Sequence, residues 1–97
     1  MTKAKTKPTS AASITVERVQ TGVRIEKRML KVLKALAECF DISLGDLLEG
    51  IVLHAFEGKC AFKAEDLERI ETLKKIYGMD YDARASHRLV EQASSQD

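Results

Sequence analysis

The chain has 97 residues, 44% of them apolar and 32% charged, with a formal net charge of +1. That length bounds it to one small domain, whose modest core favours assembly with a partner. No apolar run approaches the ~20 residues of a membrane span, and the basic start lacks the apolar stretch of a secretory signal, so Cys39 and Cys60 are expected as reduced thiols of a cytoplasmic protein.

The small net charge conceals a division. Residues 1–34 carry nine Lys/Arg against two acids, net +7, and residues 35–97 carry seven Lys/Arg against thirteen acids, net −6. A split of this kind points to a face for a polyanion at one end.

Residues 1–13 are rich in Lys, Thr, Ser and Ala and contain the single Pro. They hold too little apolar surface to offset the entropy of ordering, and are expected as a disordered basic arm. Residues 14–25 alternate in part. Ile14 and Val16, then Val19, Thr21, Val23 and Ile25, stand two apart, with Gln20, Gly22 and Arg24 between them. Alternating β-branched residues read as a short strand. One strand cannot form a sheet by itself, so the expectation is antiparallel pairing with the same strand of a second copy.

A helix is expected over 26–40. Met29, Leu33, Leu36 and Phe40 recur at three or four, and Lys27, Lys31, Lys34 and Glu38 line the other face. Residues 41–43 form a connection. Ser43 caps a second helix over 44–57, with Asp46 three residues on. Leu44, Leu47, Leu48, Ile51, Val52, Ala55 and Phe56 give that helix an arc too wide for one neighbour, and Leu53 lies beyond it. Gly50 costs ~1 kcal/mol in mid-helix relative to Ala, which anticipates close approach of another helix. Gly58 ends the helix. A third helix spans 64–77, stopped by Gly78, and is expected to cover Leu53. A turn at 79–82 leads to a short last helix over 83–92.

The stretches Gly22-Val-Arg-Ile-Glu-Lys-Arg-Met-Leu-Lys-Val-Leu-Lys-Ala-Leu-Ala-Glu and Phe40-Asp-Ile-Ser-Leu-Gly-Asp-Leu-Leu-Glu-Gly-Ile-Val resemble the ribbon-helix-helix repressors of the Arc/MetJ/CopG superfamily, over about a third of the chain. The resemblance implies a mainly α fold. A ribbon-helix-helix module at 14–58 would pair one N-terminal β-strand antiparallel across a homodimer, and a helical extension at 59–97 would follow. It implies a two-stranded ribbon in the major groove of double-stranded DNA, with Gln20, Gly22 and Arg24 facing base edges. Gly22 departs from the pattern, having no side chain with which to read a base. Phosphate contacts would fall to Lys3, Lys5, Lys7, Lys27 and Arg28, and to the backbone N–H groups of Ser43, Leu44 and Gly45 at a helix start. The dimer core would be Val23, Ile25, Leu33, Leu36, Leu47, Leu48, Ile51 and Val52.

The functional expectation is a homodimeric, sequence-preferring DNA-binding transcriptional regulator. Two alternatives stay open: an antitoxin whose residues 59–97 bind a toxin, and a dimeric interaction protein that does not bind DNA. No enzyme, cofactor or metal is expected. His54, His87, Cys39 and Cys60 lack metal-ligand spacing; Cys39 reads as a buried thiol and His54 as a packing residue. No Gly-rich phosphate loop occurs.

Overall fold

The computed structural model describes residues 13–92. The first helix, α1, runs Lys27–Phe40. Its apolar residues fall at helical spacing, and Val32, Leu36 and Ala37 are buried, Leu36 to 2% exposure. Leu33 and Phe40 flank them, so the apolar stripe is broad enough to receive two neighbours. Asp41 closes the helix in the left-handed conformation, φ 58°, its N–H turned to the Ala37 and Glu38 carbonyls. Asp tolerates that conformation better than most residues.

The second helix, α2, runs Leu44–Phe56 and the third, α3, Ala64–Tyr77. The Ser43 hydroxyl accepts the Asp46 N–H at 3.0 Å and starts α2. The Asp66 carboxylate accepts the Lys63 N–H at 3.1 Å and starts α3. Gly58 and Gly78, both at φ 71°, end these helices where a side chain would be strained.

Both helices pack on α1 and neither packs on the other. Leu47 of α2 is buried in the central cluster, with Ile51 beside it. Ile70 and Leu73 of α3 join the same cluster, together with Phe62 before that helix and Met79 after it. Four buried residues make up the centre.

The expected fold class is overturned at its N-terminal end. Residues 13–26 form neither strand nor helix, and no strand occurs among the described residues. The ribbon-helix-helix architecture, with one β-strand per chain paired antiparallel across a homodimer, therefore does not describe this structure. The alternation at 14–25 supplied only a side-chain pattern. A strand also needs backbone partners, and this segment is instead tied down through its arginine side chains.

The C-terminal extension differs too. In place of a helix over 83–92 there is a single 3₁₀ turn, Ala83–Ala85, with Asp82 capping it. Leu89 and Val90 remain exposed, so no apolar stripe would be buried to repay a longer helix. Because α3 lies on α1, Leu53 stays uncovered at 64% exposure. A Cβ built on Gly50 would meet no atom within 4 Å, so close approach within the chain does not account for this glycine. Cys39 is exposed, since Ala37 and Phe40 take the core-facing positions of the last turn of α1.

Leu36 sits where all three helices converge. Leu36→Ala should lower unfolding free energy by about 2–5 kcal/mol in urea titrations. Leu67→Ala, on the open side of α3, should change it by about 0.5 kcal/mol or less.

Candidate nucleic-acid interface

The segment before α1, neither helix nor strand, carries Arg18, Gln20, Gly22 and Arg24, and all four are exposed. The segment is held by ion pairs to distant parts of the chain. Arg18 grips Glu49 on α2 with both arms of its guanidinium, Nε to Oε2 at 2.8 Å and Nη2 to Oε1 at 2.7 Å. Arg24 makes the same fork with Glu91, its Nε 3.2 Å from Oε1 and its Nη2 on the other oxygen. Such forks fit carboxylate and phosphate equally well. Hydrogen bonding from Arg18 holds the Glu49 carboxyl below its ordinary range, and Arg24 does the same for Glu91.

The start of α1 is anchored more deeply. Glu26 is its N-cap, and the carboxylate accepts the N–H groups of Arg28 at 3.1 Å and Met29 at 3.0 Å. The Tyr81 hydroxyl, 55 positions away, donates to the same carboxylate. That hydrogen bond, followed by those from Arg28 and Met29, brings the Glu26 pKa down to about 2. Burial, then the hydrogen bond to Glu26, pushes the Tyr81 phenol up to about 12.

Arg28 completes the cluster. It donates to Glu26 at 3.0 Å, to the Gly78 carbonyl at 2.9 Å and to Asp80 at 3.3 Å, with its guanidinium carbon 5.5 Å from the centre of the Tyr81 ring. Its donors fasten α1 to the loop after α3 and are not directed outward at a phosphate.

The remaining sequence-derived residues separate into groups. Gln20 and Gly22 share the exposed segment with Arg24, and Lys27 is exposed on the first turn of α1. The Cβ that Gly22 lacks would stand in open space. Lys3, Lys5 and Lys7 lie outside the described residues. At the start of α2, Ser43 is occupied in capping, and Leu44 and Gly45 follow it in the first turn. Asp46 in the same turn already supplies the anion that a helix start favours, so a phosphate arriving there meets a like charge.

Of the residues assigned to a dimer core, Leu36 and Leu47 are buried within their own chain. Leu33, Leu48, Ile51 and Ile25 are half-buried, while Val52 and Val23 are exposed, Val23 to 74%. Val52, Leu53 and Phe56 form an apolar strip on the side of α2 away from α1, with Phe56 exposed to 82%. His54 is exposed and its Nδ1 lies 2.7 Å from the Gly50 carbonyl.

Comparison with known protein families, with characterised proteins and with solved structures gives no match. The site must therefore be read from its own chemistry. Among the described residues no helix is long and apolar enough to cross a membrane, and no three His, Cys, Asp or Glu side chains gather as metal ligands. An open depression of about 370 Å³ lies beside Tyr81, and Arg84 on its wall is already forked onto Asp82 at 3.1 and 2.8 Å.

Sequence reasoning missed Glu49, Glu91 and Asp80 as partners of the arginines, and Tyr81 as the partner of Glu26. Each pair spans 31 to 67 positions, and no local spacing signals it.

Glu26 gives the acid response a sign. Its folded pKa of about 2 lies below the ordinary 4.5, so its stabilisation is complete above about pH 4.5 and disappears as pH falls towards 2. Glu26→Ala should cost about 1–2 kcal/mol at neutral pH, the usual loss of a helix cap. Thermal melts from pH 7 to pH 2 should show a shallower decline for Glu26→Gln than for the wild type. An unchanged slope would exclude Glu26 from acid unfolding.

Proposed function

We propose that this chain is a self-associating protein that binds double-stranded DNA and regulates transcription through its cationic N-terminal third. The observation that supports this most is the union of charge and exposure. Residues 1–34 carry net +7, and the described part leading into α1 is free of helix and strand and open to solvent from residue 13 to residue 24. A solvent-open cationic segment outside helix and strand can follow phosphates and place side chains against a groove. Gln20 and Arg24 have the donor sets that fit adenine and guanine edges, while Lys3, Lys5, Lys7 and Lys27 supply sequence-blind attraction to phosphate.

Self-association rests on α2. A helix that is apolar on nearly every side belongs inside a core, yet Leu53 and Phe56 are largely exposed. Two copies related by a twofold axis would cover this strip with itself.

One observation favours the alternative of an interaction protein without DNA: Arg18, Arg24 and Arg28 are all engaged by carboxylates. An antitoxin role for residues 59–97 would draw on the part after α3, since α3 already packs Ile70 and Leu73 into the central cluster.

Binding of duplex DNA should be detectable at low salt, and removal of residues 1–8 should weaken it on every sequence and flatten its salt dependence. Arg24→Ala should lose about 1–3 kcal/mol on a preferred site and much less on random duplex. Absence of binding by the full chain at low salt would reject the DNA reading and leave the interaction protein. For assembly, Phe56→Ser should raise the dimer dissociation constant more than about tenfold in sedimentation equilibrium, as expected from exposing one large apolar side chain. A wild-type chain that sediments as a monomer at micromolar concentration would reject self-association.

A further inference from the structure

The chain after α3 does not run off into solvent. Gly78 turns it, Arg28 holds the Gly78 carbonyl at 2.9 Å, and Tyr81 is bound to Glu26 at the start of α1. The 3₁₀ turn at Ala83–Ala85 and a left-handed His87, φ 64°, then redirect the backbone, with the Arg88 N–H bonded to the Ala85 carbonyl at 2.9 Å. The path ends with Glu91 against Arg24, 67 positions away.

Both oxygens of Glu91 are engaged by Arg24 in the geometry with which a guanidinium grips a phosphate or a guanine edge. Glu49 engages Arg18 in the same way. Two arginines of the cationic segment thus already hold an anion from the net-negative remainder of the chain.

We propose that the returning C-terminal segment, residues 86–92, is an autoinhibitory strap whose Glu91 competes with DNA for Arg24, with Glu49 acting likewise on Arg18. This inference rests on the DNA-binding reading above and names how that site is restrained. The Arg24 and Glu91 side chains are 83% and 64% exposed. An exposed pair of this kind is weak and easily exchanged, so the strap sets a threshold for binding and does not abolish it. Weak or nonspecific polyanions are turned away, whereas a duplex that also engages the lysines displaces the carboxylate. Displacement leaves Glu91 near the phosphates, which adds repulsion and raises the threshold further.

The test compares the full-length wild type with E91Q, E49Q and E65Q by fluorescence anisotropy on a labelled duplex over a range of salt. Glu65 is exposed at the start of α3, and E65Q changes net charge by the same single unit without touching an arginine of the segment. E91Q should tighten binding about two- to fivefold at low salt, the range expected from releasing one exposed ion pair. The gain should be larger on a preferred site than on random duplex, because Arg24 is placed against a base edge. E49Q should follow in the same direction, and E65Q should stay near the wild type. Equal gains in E91Q and E65Q would reduce the effect to overall charge and overturn the strap. A wild type that binds DNA with unchanged affinity in E91Q would overturn the strap alone. Failure of the wild type and all three variants to bind would bring down the DNA reading and the strap with it.

Discussion

Everything in this fold depends on α1 having two faces to cover. Neither α2 nor α3 touches the other, so each is attached to the molecule through Val32, Leu36, Ala37 and their flanking residues. A helix between two others needs apolar residues over more of its circumference than a surface helix does. The sequence of α1 meets that requirement while leaving Lys27, Lys31, Lys34 and Glu38 exposed. The arrangement also fixes where charge can gather. With two sides of α1 taken, its cationic first turn and the segment before it are left on an open flank.

That flank is stabilised by side chains instead of backbone pairing. Glu26 serves both as helix cap and as acceptor for Tyr81, and Arg28 joins the same carboxylate to the Gly78 carbonyl. Arg18 and Arg24 extend the pattern outwards, and their partners Glu49 and Glu91 are more exposed than Glu26. The inner cluster is therefore structural in character. The outer pairs are easily exchanged, and exchange is the property a regulated polyanion site requires. The apolar strip of α2 adjoins Glu49, three and four residues before Val52 and Leu53, so the Arg18 end of the segment borders the surface proposed for self-association.

The three helices were legible because their signals are local. Apolar spacing together with Ser43, Gly58 and Gly78 located α2 and α3 to within a residue of where they lie, and α1 begins one residue later than its pattern anticipated. What the sequence could not disclose is set by contacts between distant positions. The alternation at 14–25 looks the same whether or not a backbone partner exists, and the structure gives that segment none. The side of α1 on which α3 lies decides whether Leu53 is covered, and helical periodicity does not encode that choice. Cys39 was misjudged because proximity to Phe40 in sequence is not proximity to the core: one step along a helix rotates a residue by about 100°. The engagement of Arg24 and Arg28 by carboxylates belongs to the same class. Charge pattern alone marks them as cations available to a ligand, and only the returning chain reveals their existing partners.

The placement of the two tyrosines has an optical consequence. The chain has no tryptophan, so its near-ultraviolet absorption and emission come chiefly from Tyr77 and Tyr81. Tyr77 lies beneath the Lys31 ammonium at 5.9 Å, and Tyr81 lies beneath Arg28 while bonded to Glu26. Both chromophores therefore report on the junction between α1 and the chain around the end of α3. A phenol bound to a carboxylate is a quenched emitter, so loosening of that junction brightens the molecule. Detachment of α2, which carries no tyrosine, passes almost unseen in the same signal.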